Sequence, residues 1–360
     1  MGSSIPQWRY SSEDNLDAAY GLAVDEMLTH SVAQTDSSPI LHLYSFKPSV
    51  IVGRYQDLEA GIRLERCREL GIEYNRRITG GGTVIMGPGQ LALGLAVPLE
   101  RLGVKSYVKA ILAMFGDIII DGLGRVGVEA RFRPKNDIEV GGKKIAGLAV
   151  SIEEDDVLLF QMSLLLDFDT PLMLELLDLP AEKLSDKAIS CFSERMTTIQ
   201  AELGRPVAMD SVKKVILRAF EEGLAVNFTP SQFTKWEGQE ITKLMKKRYC
   251  SPHWWFSVKH PAKRTGYAHK KTPEGLLQVY LSLSGGVIES LLITGDFFSS
   301  SRDINRIESA LRWSATDEKS LEKNLEKVVG DNAVCGIDLS SLRETITAAK
   351  ENYCLAKEDR

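Results

Sequence analysis

The sequence predicts an α/β domain with a mixed sheet over residues 1–250 and a smaller α+β domain over residues 251–360. Short β-like runs alternate with amphipathic helical segments through the first half of the chain. Near Cys250–Pro252, the predicted helices end and the aromatic and basic stretch "SPHWWFSVKHPAKRTG" begins. A predicted strand pair and further helices follow it. A chain of 360 residues is also long for a single hydrophobic core.

Composition describes an ordinary globular chain and excludes several classes of protein. The hydrophobic fraction is 44%, the charged fraction is 26%, and the formal net charge of -5 argues against a nucleic-acid partner. No apolar run approaches the roughly 18 residues needed to cross a membrane, and the N-terminus lacks a signal-peptide pattern. Five cysteines without CxxC spacing indicate reduced thiols. We therefore expect a cytoplasmic protein with no nucleic-acid or membrane partner.

Hydrophobic spacing places the first elements. The stretch "NLDAAYGLAVDEMLTH" predicts a helix over Asn15–His30, with Asp14 or Asn15 as its N-cap. Two β-like runs follow, Leu41–Phe46 and Ser49–Val52. The segment "LERCRELG" predicts a short helix that ends at its glycine.

The stretch "RRITGGGTVIMGPGQ", which begins at Arg76, lies between two predicted strands. Each of its consecutive glycines costs regular structure about 1 kcal/mol, so a tight turn or a close ligand has to explain them. The stretch fits neither GxGxxG nor GxxxxGK[ST]. Arg76 and Arg77 could form a fork on a phosphate or carboxylate, with glycine N–H groups as further donors. The alternative is a glycine turn with both arginines on a solvated face.

Further along, "SYVKAILAMFGDIIIDGLGRVG" predicts an amphipathic helix. The segment from Leu172 to about Tyr249 has a mostly helical pattern. Between them, "NDIEVGGKKIAGLAVSIEEDDVLLFQMSLLLDF" predicts three strands, the first two joined by a hairpin at Gly141-Gly142. Strand alternation puts Lys143 and Lys144 on opposite faces.

Lys144 opens an apolar strand, and a lysine on a sheet face is a point charge suited to an acyl phosphate. Lys143 is expected to face solvent. Asp137, which follows Asn136 before the hairpin, could hold Mg²⁺ or a ribose hydroxyl. A cap at the start of the strand explains Asp137 equally well.

Taken together, four stretches resemble the lipoate–protein ligases. "VIVGRYQD", "RRITGGGTVI", "NDIEVGGKKIAG" and "KLSDKAISCFSERMTTI" occur in the order and approximate spacing of that family. The family pattern is an R-R-x-[S/T]-G-G-G loop, then N-D-[LI], a hairpin and K-[VI]-[SA]-G. The resemblance covers most of residues 15–250, and "GGVIESLLITGDFF" resembles the small accessory domain of many such ligases. It implies a biotin/lipoate ligase catalytic domain, related to class II synthetase sheets, followed by a small α+β domain.

The resemblance also implies a reaction. Such ligases use ATP and Mg²⁺ to convert lipoate into lipoyl-AMP, with release of pyrophosphate. They then transfer the lipoyl group to a lysine of a lipoyl carrier protein, either a lipoyl domain or an H-protein-like carrier.

By resemblance, Lys144 is the catalytic lysine, and Asp137 with Asn136 helps to hold Mg²⁺ or the adenylate. The other expected contacts lie on loops. They are Arg77, Thr79, Gly80, Gly81 and Gly82 around the adenylate, and Gly53 and Arg54 beside the lipoyl tunnel.

The sequence departs from the family in two places. Where the family has F-H-D-x-G-N, this chain has "IMGPGQ", so Met86-Gly87 replaces the His-Asp pair. Where the family has H-H-G-T-L-L, Phe160 and Gln161 replace the histidines. These changes bear on the acyl pocket and the acceptor geometry more than on adenylation, since Lys144 and the Arg-Gly loop are present. We expect a divergent branch of the ligases.

Two other functions stay open. An octanoyl or lipoyl transferase would carry the acyl group as a thioester on cysteine beside the lysine. No cysteine precedes the hairpin here, which leaves Cys191 as the candidate. A non-catalytic homologue would bind the lipoyl group or the carrier without chemistry. Trp254, Trp255 and Phe256 are expected to pack between the two domains.

Overall fold

A computed structural model describes residues 5–34, 37–103, 108–152, 156–177, 194–258, 265–284, 286–299, 301–329 and 337–358. The strands are β1 (Gln7–Leu16), β2 (Ile40–Phe46), β3 (Ser49–Val52), β4 (Glu73–Arg76), β5 (Val84–Met86), β6 (Gln90–Pro98), β7 (Arg131–Arg133), β8 (Asp137–Val140), β9 (Lys143–Ile152), β10 (Val157–Leu165), β11 (Asn227–Pro230), β12 (Gly266–Thr272), β13 (Gly275–Ser284) and β14 (Val287–Gly295).

The helices are α1 (Ala18–Ala33), α2 (Leu58–Gly61), α3 (Leu64–Glu69), α4 (Leu99–Leu102), α5 (Val108–Val126), α6 (Thr170–Leu176), α7 (Ile199–Leu203), α8 (Met209–Leu224), α9 (Lys235–Leu244), α10 (Pro252–Trp255), α11 (Ser301–Leu311), α12 (Glu318–Val329) and α13 (Leu339–Glu358). A π-helix, Met245–Tyr249, continues directly from α9.

A mixed eight-stranded sheet forms the centre of the larger part of the chain. Its strand order is β11-β1-β2-β6-β10-β9-β8-β7. β1 runs parallel to β2 and β11, and the pairs from β2 to β7 are antiparallel. A small sheet with the order β4-β3-β5 carries the strands on either side of the glycine loop. The predicted mixed α/β sheet is confirmed.

An aromatic stack packs α5 and α8 against this sheet. Phe115 of α5 lies 4.2 Å from Phe160 of β10 and 5.9 Å from Phe220 of α8, measured between ring centroids. All three side chains are fully buried. Phe160, which replaces one of the family's histidines, is therefore a core residue. Its neighbour Gln161 points to the opposite face of the strand.

The structure corrects the predicted start of the first helix. Leu16 still belongs to β1 and pairs with Phe46 of β2, so α1 begins only at Ala18. Asn15 has a positive φ of 56°, which turns the chain before the helix. Capping by Asp14 or Asn15 is wrong, because the N-cap is Asp17 and its side chain makes no cap hydrogen bond.

Two short strands, β5 and β11, lie where the sequence pattern predicts no strand. β11 breaks the predicted helical stretch from Leu172 to Tyr249 by pairing in parallel with β1. β5 lies between the glycines and β6, and it pairs with β3. The strands at Leu41–Phe46 and Ser49–Val52, the hairpin at Gly141-Gly142 and the long helix α5 are confirmed.

Contacts divide the chain into two compact units. The first contains residues 1–51, 59–77 and 83–255, and the second contains 52–58, 78–82 and 256–360. In the second unit, β12, β13 and β14 form an antiparallel sheet whose core includes residues of α11, α12 and α13. This is the smaller α+β architecture expected. The sequence-based boundary at residue 250 stays a prediction. Along the described residues, no helix combines the length and apolar character needed to cross a membrane.

A cluster of ionisable and polar side chains lies between α1 and the main sheet. Tyr44 Oη donates to Asp25 Oδ2 over 2.7 Å, and Gln161 Nε2 donates to the same oxygen. The fully buried His42 lies 3.1 Å from Glu13 Oε2 through Nε2 and 4.0 Å from Asp25 Oδ1 through Nδ1. Burial opposes the charged imidazole, but the hydrogen bonds and charges of Asp25 and Glu13 outweigh it and raise the pKa of His42.

This raised pKa predicts a pH dependence of stability. Protonated His42 contributes stability that is fully present below its unfolded pKa of about 6.5 and is lost as pH rises through the higher folded value. We expect the free energy of unfolding, measured in urea from about pH 6 to about pH 9, to fall less steeply in His42→Gln than in wild type. The exposed His269→Gln change is the control and should keep the wild-type slope. Equal slopes in His42→Gln and wild type would contradict the prediction.

Candidate functional site

Lys144 and Asp137 form an ion pair at the start of the hairpin β8–β9. Lys144 Nζ lies 2.7 Å from Asp137 Oδ1, with the two side chains 35% and 17% exposed. Asn136 fixes the entry to β8, because its Nδ2 donates to the Leu148 carbonyl and its carbonyl accepts from the Leu148 N–H, both over 2.8 Å. Lys143 is exposed, as expected. The structure thus brings together the lysine and the aspartate that the sequence singled out.

A β-bulge turns the Lys144 side chain toward Asp137. Pairing between β8 and β9 shifts so that Ile138 faces Ala146 while Glu139 faces Lys144, which leaves Ile145 as the extra residue. In a regular strand, Lys144 and Gly147 would point to opposite faces. With the bulge, Lys144 Nζ lies 3.0 Å from the position that a Cβ on Gly147 would occupy. The bulge re-aims the lysine, and Gly147 leaves space for its ammonium group.

The main chain of Lys144 also forms hydrogen bonds with residues 195–197. Its N–H donates to the Arg195 carbonyl over 2.8 Å, and its carbonyl accepts from the Thr197 N–H over 2.9 Å. Met196 forms a parallel bridge with Lys144. Residues 195–197, near the end of the fourth family-like stretch, therefore support the main chain of the lysine. Main-chain contacts of this kind leave no pattern in the sequence that would have predicted this role.

Arg77 is a buried cation. It is 7% exposed, and its Nη1 donates to the Ile51 carbonyl over 3.2 Å. Burial, together with the neighbouring charge of Arg76, lowers the pKa of Arg77 to about 10. Arg77 still carries its charge near neutral pH. Arg76 is fully buried as well, so the alternative of two arginines on a solvated face is wrong.

The second unit contains the other predicted contact residues. The Arg54 N–H donates to the Thr79 carbonyl over 2.9 Å, which joins the two loops that carry them. Thr79 is fully buried, and the Gly53 N–H donates to Gln56 Oε1 over 3.2 Å. Arg54 and Thr79 are thus brought together by their main chains.

The structure requires glycine at some of the three consecutive positions and not at others. A Cβ on Gly80 would lie 2.2 Å from the Phe297 carbonyl oxygen, so that carbonyl excludes any side chain there. Gly81 has a φ of 94° and donates its N–H to the same carbonyl over 3.2 Å. A Cβ on Gly82 would meet nothing within 4 Å. Gly80 therefore serves the approach of the protein's own main chain, whereas Gly82 borders open space.

The Phe297 carbonyl is itself held in place. The Phe297 ring stacks on Tyr55 with 4.9 Å between centroids. Tyr55 Oη donates to the Ser299 carbonyl over 2.9 Å, and the Tyr55 carbonyl accepts from the Gly295 N–H over 3.1 Å. Neither Tyr55 nor Phe297 was predicted as a site residue, although both lie in family-like stretches, "VIVGRYQD" and "TGDFF".

The predicted site residues fall into two groups. Lys144, Arg77, Asn136 and Asp137 belong to the first unit, whereas Gly53, Arg54 and residues 79–82 belong to the second. Their assigned roles stay predictions. Among the residues that the structure describes, no group of three or more His, Cys, Asp or Glu residues could hold a metal ion. The Asp137 carboxylate already faces Lys144, with Arg133 at 3.7 Å. The assignment of Mg²⁺ to Asp137 stays a prediction.

Neither of the two cysteines whose side chains the structure describes resembles an activated nucleophile. Cys67 is fully buried, and burial raises the pKa of its thiol. Cys250 is exposed and follows the π-helix. Cys191, the candidate for a thioester mechanism, lies outside the described residues.

Comparison with known proteins identifies the family. The family described as "Lipoyl protein ligase A/B catalytic domain" matches residues 17–221, and the family described as "Bacterial lipoate protein ligase C-terminus" matches residues 264–346. The chain belongs to the lipoyl protein ligase A/B family, an enzyme family that acts on lipoyl groups, and it carries the C-terminal domain found in lipoate ligases.

Similar proteins include both transferases and ligases. Octanoyltransferase LipM of Clostridioides difficile is 26% identical over 67% of this chain and 96% of its own length. Lipoate–protein ligase 1 of Staphylococcus aureus is also 26% identical, over 89% of this chain and 94% of its own length. Lipoate-protein ligase A subunit 1 of Thermoplasma acidophilum is 28% identical over 65% of this chain and 90% of its own.

Solved structures agree with the fold. A bipartite lipoate protein ligase from Thermoplasma acidophilum, described together with its E2 lipoyl domain, has a TM-score of 0.65 and 25% identity over 72% of this chain and 99% of its own. LipL1 of P. falciparum in complex with lipoate has a TM-score of 0.72 over 94% of this chain and 99% of its own, at 16% identity. The expected lipoate ligase fold is confirmed.

The difference between Gly80 and Gly82 predicts opposite effects of the same substitution. Gly80→Ala forces the loop away from the Phe297 carbonyl and should destabilise the protein by about 1–3 kcal/mol, as other overpacking changes do. Gly82→Ala should stay within about 0.5 kcal/mol of wild type, because its side chain enters open space. Thermal unfolding of both variants measures this difference. Equal melting temperatures would show that the Phe297 carbonyl does not set the glycine requirement.

Proposed function

We propose that this protein is an ATP-dependent lipoate–protein ligase that forms lipoyl-AMP and transfers the lipoyl group to a lysine of a lipoyl carrier protein. The C-terminal match carries the proposal. The C. difficile octanoyltransferase is covered almost whole, yet it accounts for only 67% of this chain, whereas the S. aureus ligase extends over 89% of it. The additional part contains the domain named for lipoate ligases.

Lys144 suits both chemical steps. In the first step, a lipoate carboxylate oxygen bonds to the α-phosphorus of ATP and pyrophosphate leaves. In the second, the amine of the carrier lysine bonds to the acyl carbon, the bond to AMP breaks, and the amine loses a proton. Negative charge develops near the same phosphate in each step, and a fixed ammonium group stabilises it. Asp137 and the bulge hold Lys144 before substrate arrives.

Arg77 provides a second positive charge for the same chemistry. Its pKa of about 10 leaves it protonated near neutral pH, and its burial strengthens attraction to a phosphate because little water screens the charge. Mg²⁺ would enter with ATP as part of the substrate, coordinated mainly by phosphate oxygens. The carrier is expected to be a lipoyl domain or an H-protein-like carrier.

A transferase is the second candidate, because several similar proteins are named octanoyltransferase LipM. A transferase would move the acyl group from a carrier protein to a cysteine thiolate and then to a second carrier, without ATP. Cys191 is the residue to which we assign that thiolate.

Pyrophosphate release tests the proposal directly. Purified protein given Mg-ATP and lipoate, without any carrier, should release pyrophosphate, and Lys144→Ala should lower the rate by about 100-fold or more. Lys143→Ala is the matched control, since this neighbouring lysine is exposed, and it should retain the wild-type rate.

Absence of lipoate-dependent release from folded wild-type protein would contradict the ligase proposal. Transfer of octanoate between carrier domains without ATP, lost in Cys191→Ser, would then identify a transferase. Absence of both reactions, with lipoate still bound, would identify a non-catalytic homologue.

The space at Gly147 predicts a further effect on turnover. Ala at position 147 would place its Cβ 3.0 Å from Lys144 Nζ, so the flexible end of the lysine has to move. We expect Gly147→Ala to lower the rate roughly tenfold or more, because small displacements of a catalytic group are costly. Gly124→Ala, where a Cβ meets nothing within 4 Å, is the control. Wild-type turnover in Gly147→Ala would show that the lysine tolerates displacement.

A further inference from the structure

Arg76 stands beside the arginine that we assign to the phosphate, yet its guanidinium group is used for something else. Arg76 is fully buried. Its Nη2 donates to the Trp255 carbonyl over 2.9 Å, and its Nε lies 3.2 Å from the carbonyls of both Trp254 and Trp255. These carbonyls lie at the C-terminal end of the short helix α10, where main-chain oxygens lack helical partners. The planar guanidinium fits two such acceptors at once.

Trp254 returns the interaction. Its indole Nε1 donates to the Arg76 carbonyl over 2.8 Å, and its side chain is 8% exposed. Trp254 and Trp255 thus bind the Arg76 side chain, and Trp254 also binds its main-chain oxygen. The peptide bond that leads from Arg76 to Arg77 is held at its carbonyl.

The tryptophans are themselves fixed by the π-helix. Trp255 Nε1 donates to the Tyr249 carbonyl over 2.7 Å, and Asn75 Nδ2 donates to the same oxygen over 2.9 Å. Tyr249 Oη donates to Glu26 Oε2 over 2.6 Å, and the Arg248 guanidinium lies 4.5 Å from the Trp254 ring centroid. A π-helix is uncommon and often marks a functional position.

From this arrangement we propose that Arg76, Trp254 and Trp255 form a brace that positions Arg77 for the phosphate of the adenylate. Trp254 and Arg76 are positioning residues in this role, and Arg77 makes the ligand contact. The brace rests on the proposed function, because that function supplies the phosphate. It also gives the "HWW" stretch a role within the first unit, which contains Arg76, Trp254 and Trp255.

The variant Trp254→Phe tests the brace, because it keeps most of the ring but removes the N–H donor. Hydrogen exchange at the amides of Arg77 and Ile78 should become roughly tenfold faster once the buried Arg76 carbonyl loses its partner. The KM for ATP should rise about fivefold, with kcat within about twofold, because Lys144 is held by other contacts. Trp8→Phe is the matched control. Trp8 is 4% exposed, lies in the same unit and packs edge-on against Phe228.

The outcomes separate the two proposals. Exchange and KM in Trp254→Phe that equal those of Trp8→Phe would overturn the brace. If wild-type protein releases no pyrophosphate, the proposed function fails, while the exchange measurement still decides whether the brace fixes Arg77. If Trp254→Phe fails to fold, Arg76→Lys replaces it. The lysine keeps the charge but loses the planar fork that holds the carbonyls of Trp254 and Trp255, so Trp254 is held less firmly against the Arg76 carbonyl, and exchange and KM should again rise.

Discussion

A positive charge inside a protein has to be held by something other than water, and this requirement organises the candidate site. Removing a cation from water costs several kcal/mol unless nearby groups replace its hydration. Lys144 has the Asp137 carboxylate at 2.7 Å. Arg76 has two carbonyls at the end of α10. Arg77 donates to the Ile51 carbonyl, and its lowered pKa records the cost of burial.

The groups that hold these three cations differ in how much positive charge they leave to attract a ligand. A carboxylate neutralises Lys144 in the resting protein, so an incoming anion competes with Asp137. Carbonyl oxygens solvate a guanidinium without cancelling its charge, which preserves attraction for a phosphate. Arg77 stays protonated near neutral pH despite its burial, since its pKa is about 10. This charge on Arg77 suits the phosphate that the proposed function requires.

Local sequence patterns predicted most of the fold but not its irregular positions. The hairpin at Gly141-Gly142 and the helix α5 follow from glycine chemistry and apolar spacing. The late start of α1 does not, because pairing between Leu16 and Phe46 overrides the helical pattern of "NLDAAYG". β11 was missed for the same reason, since a four-residue strand that pairs with the distant β1 has no strong local signal.

The candidate site shows the same limit. Lys144, Asp137 and the Arg-Gly loop were found because their residue types suit the chemistry. The bulge at Ile145, the Phe297 carbonyl and the carbonyls of α10 act through the main chain, which carries no side-chain signature in a sequence. Gly80 illustrates this point. Its glycine suggested a nearby ligand, whereas the group at 2.2 Å is a carbonyl more than two hundred residues away in the chain.

The position of Trp254 and Trp255 bears on where the chain could be divided into two polypeptides without separating these residues from Arg76. A split at residue 250, where the composition changes, would put both tryptophans on the C-terminal polypeptide and leave Arg76 on the other. A split after Trp255, at the edge of the first compact unit, would keep them with Arg76 on one polypeptide. A division after Trp255 therefore preserves the Arg76–tryptophan contacts, although residues 52–58 and 78–82 of the second unit would stay on the N-terminal polypeptide.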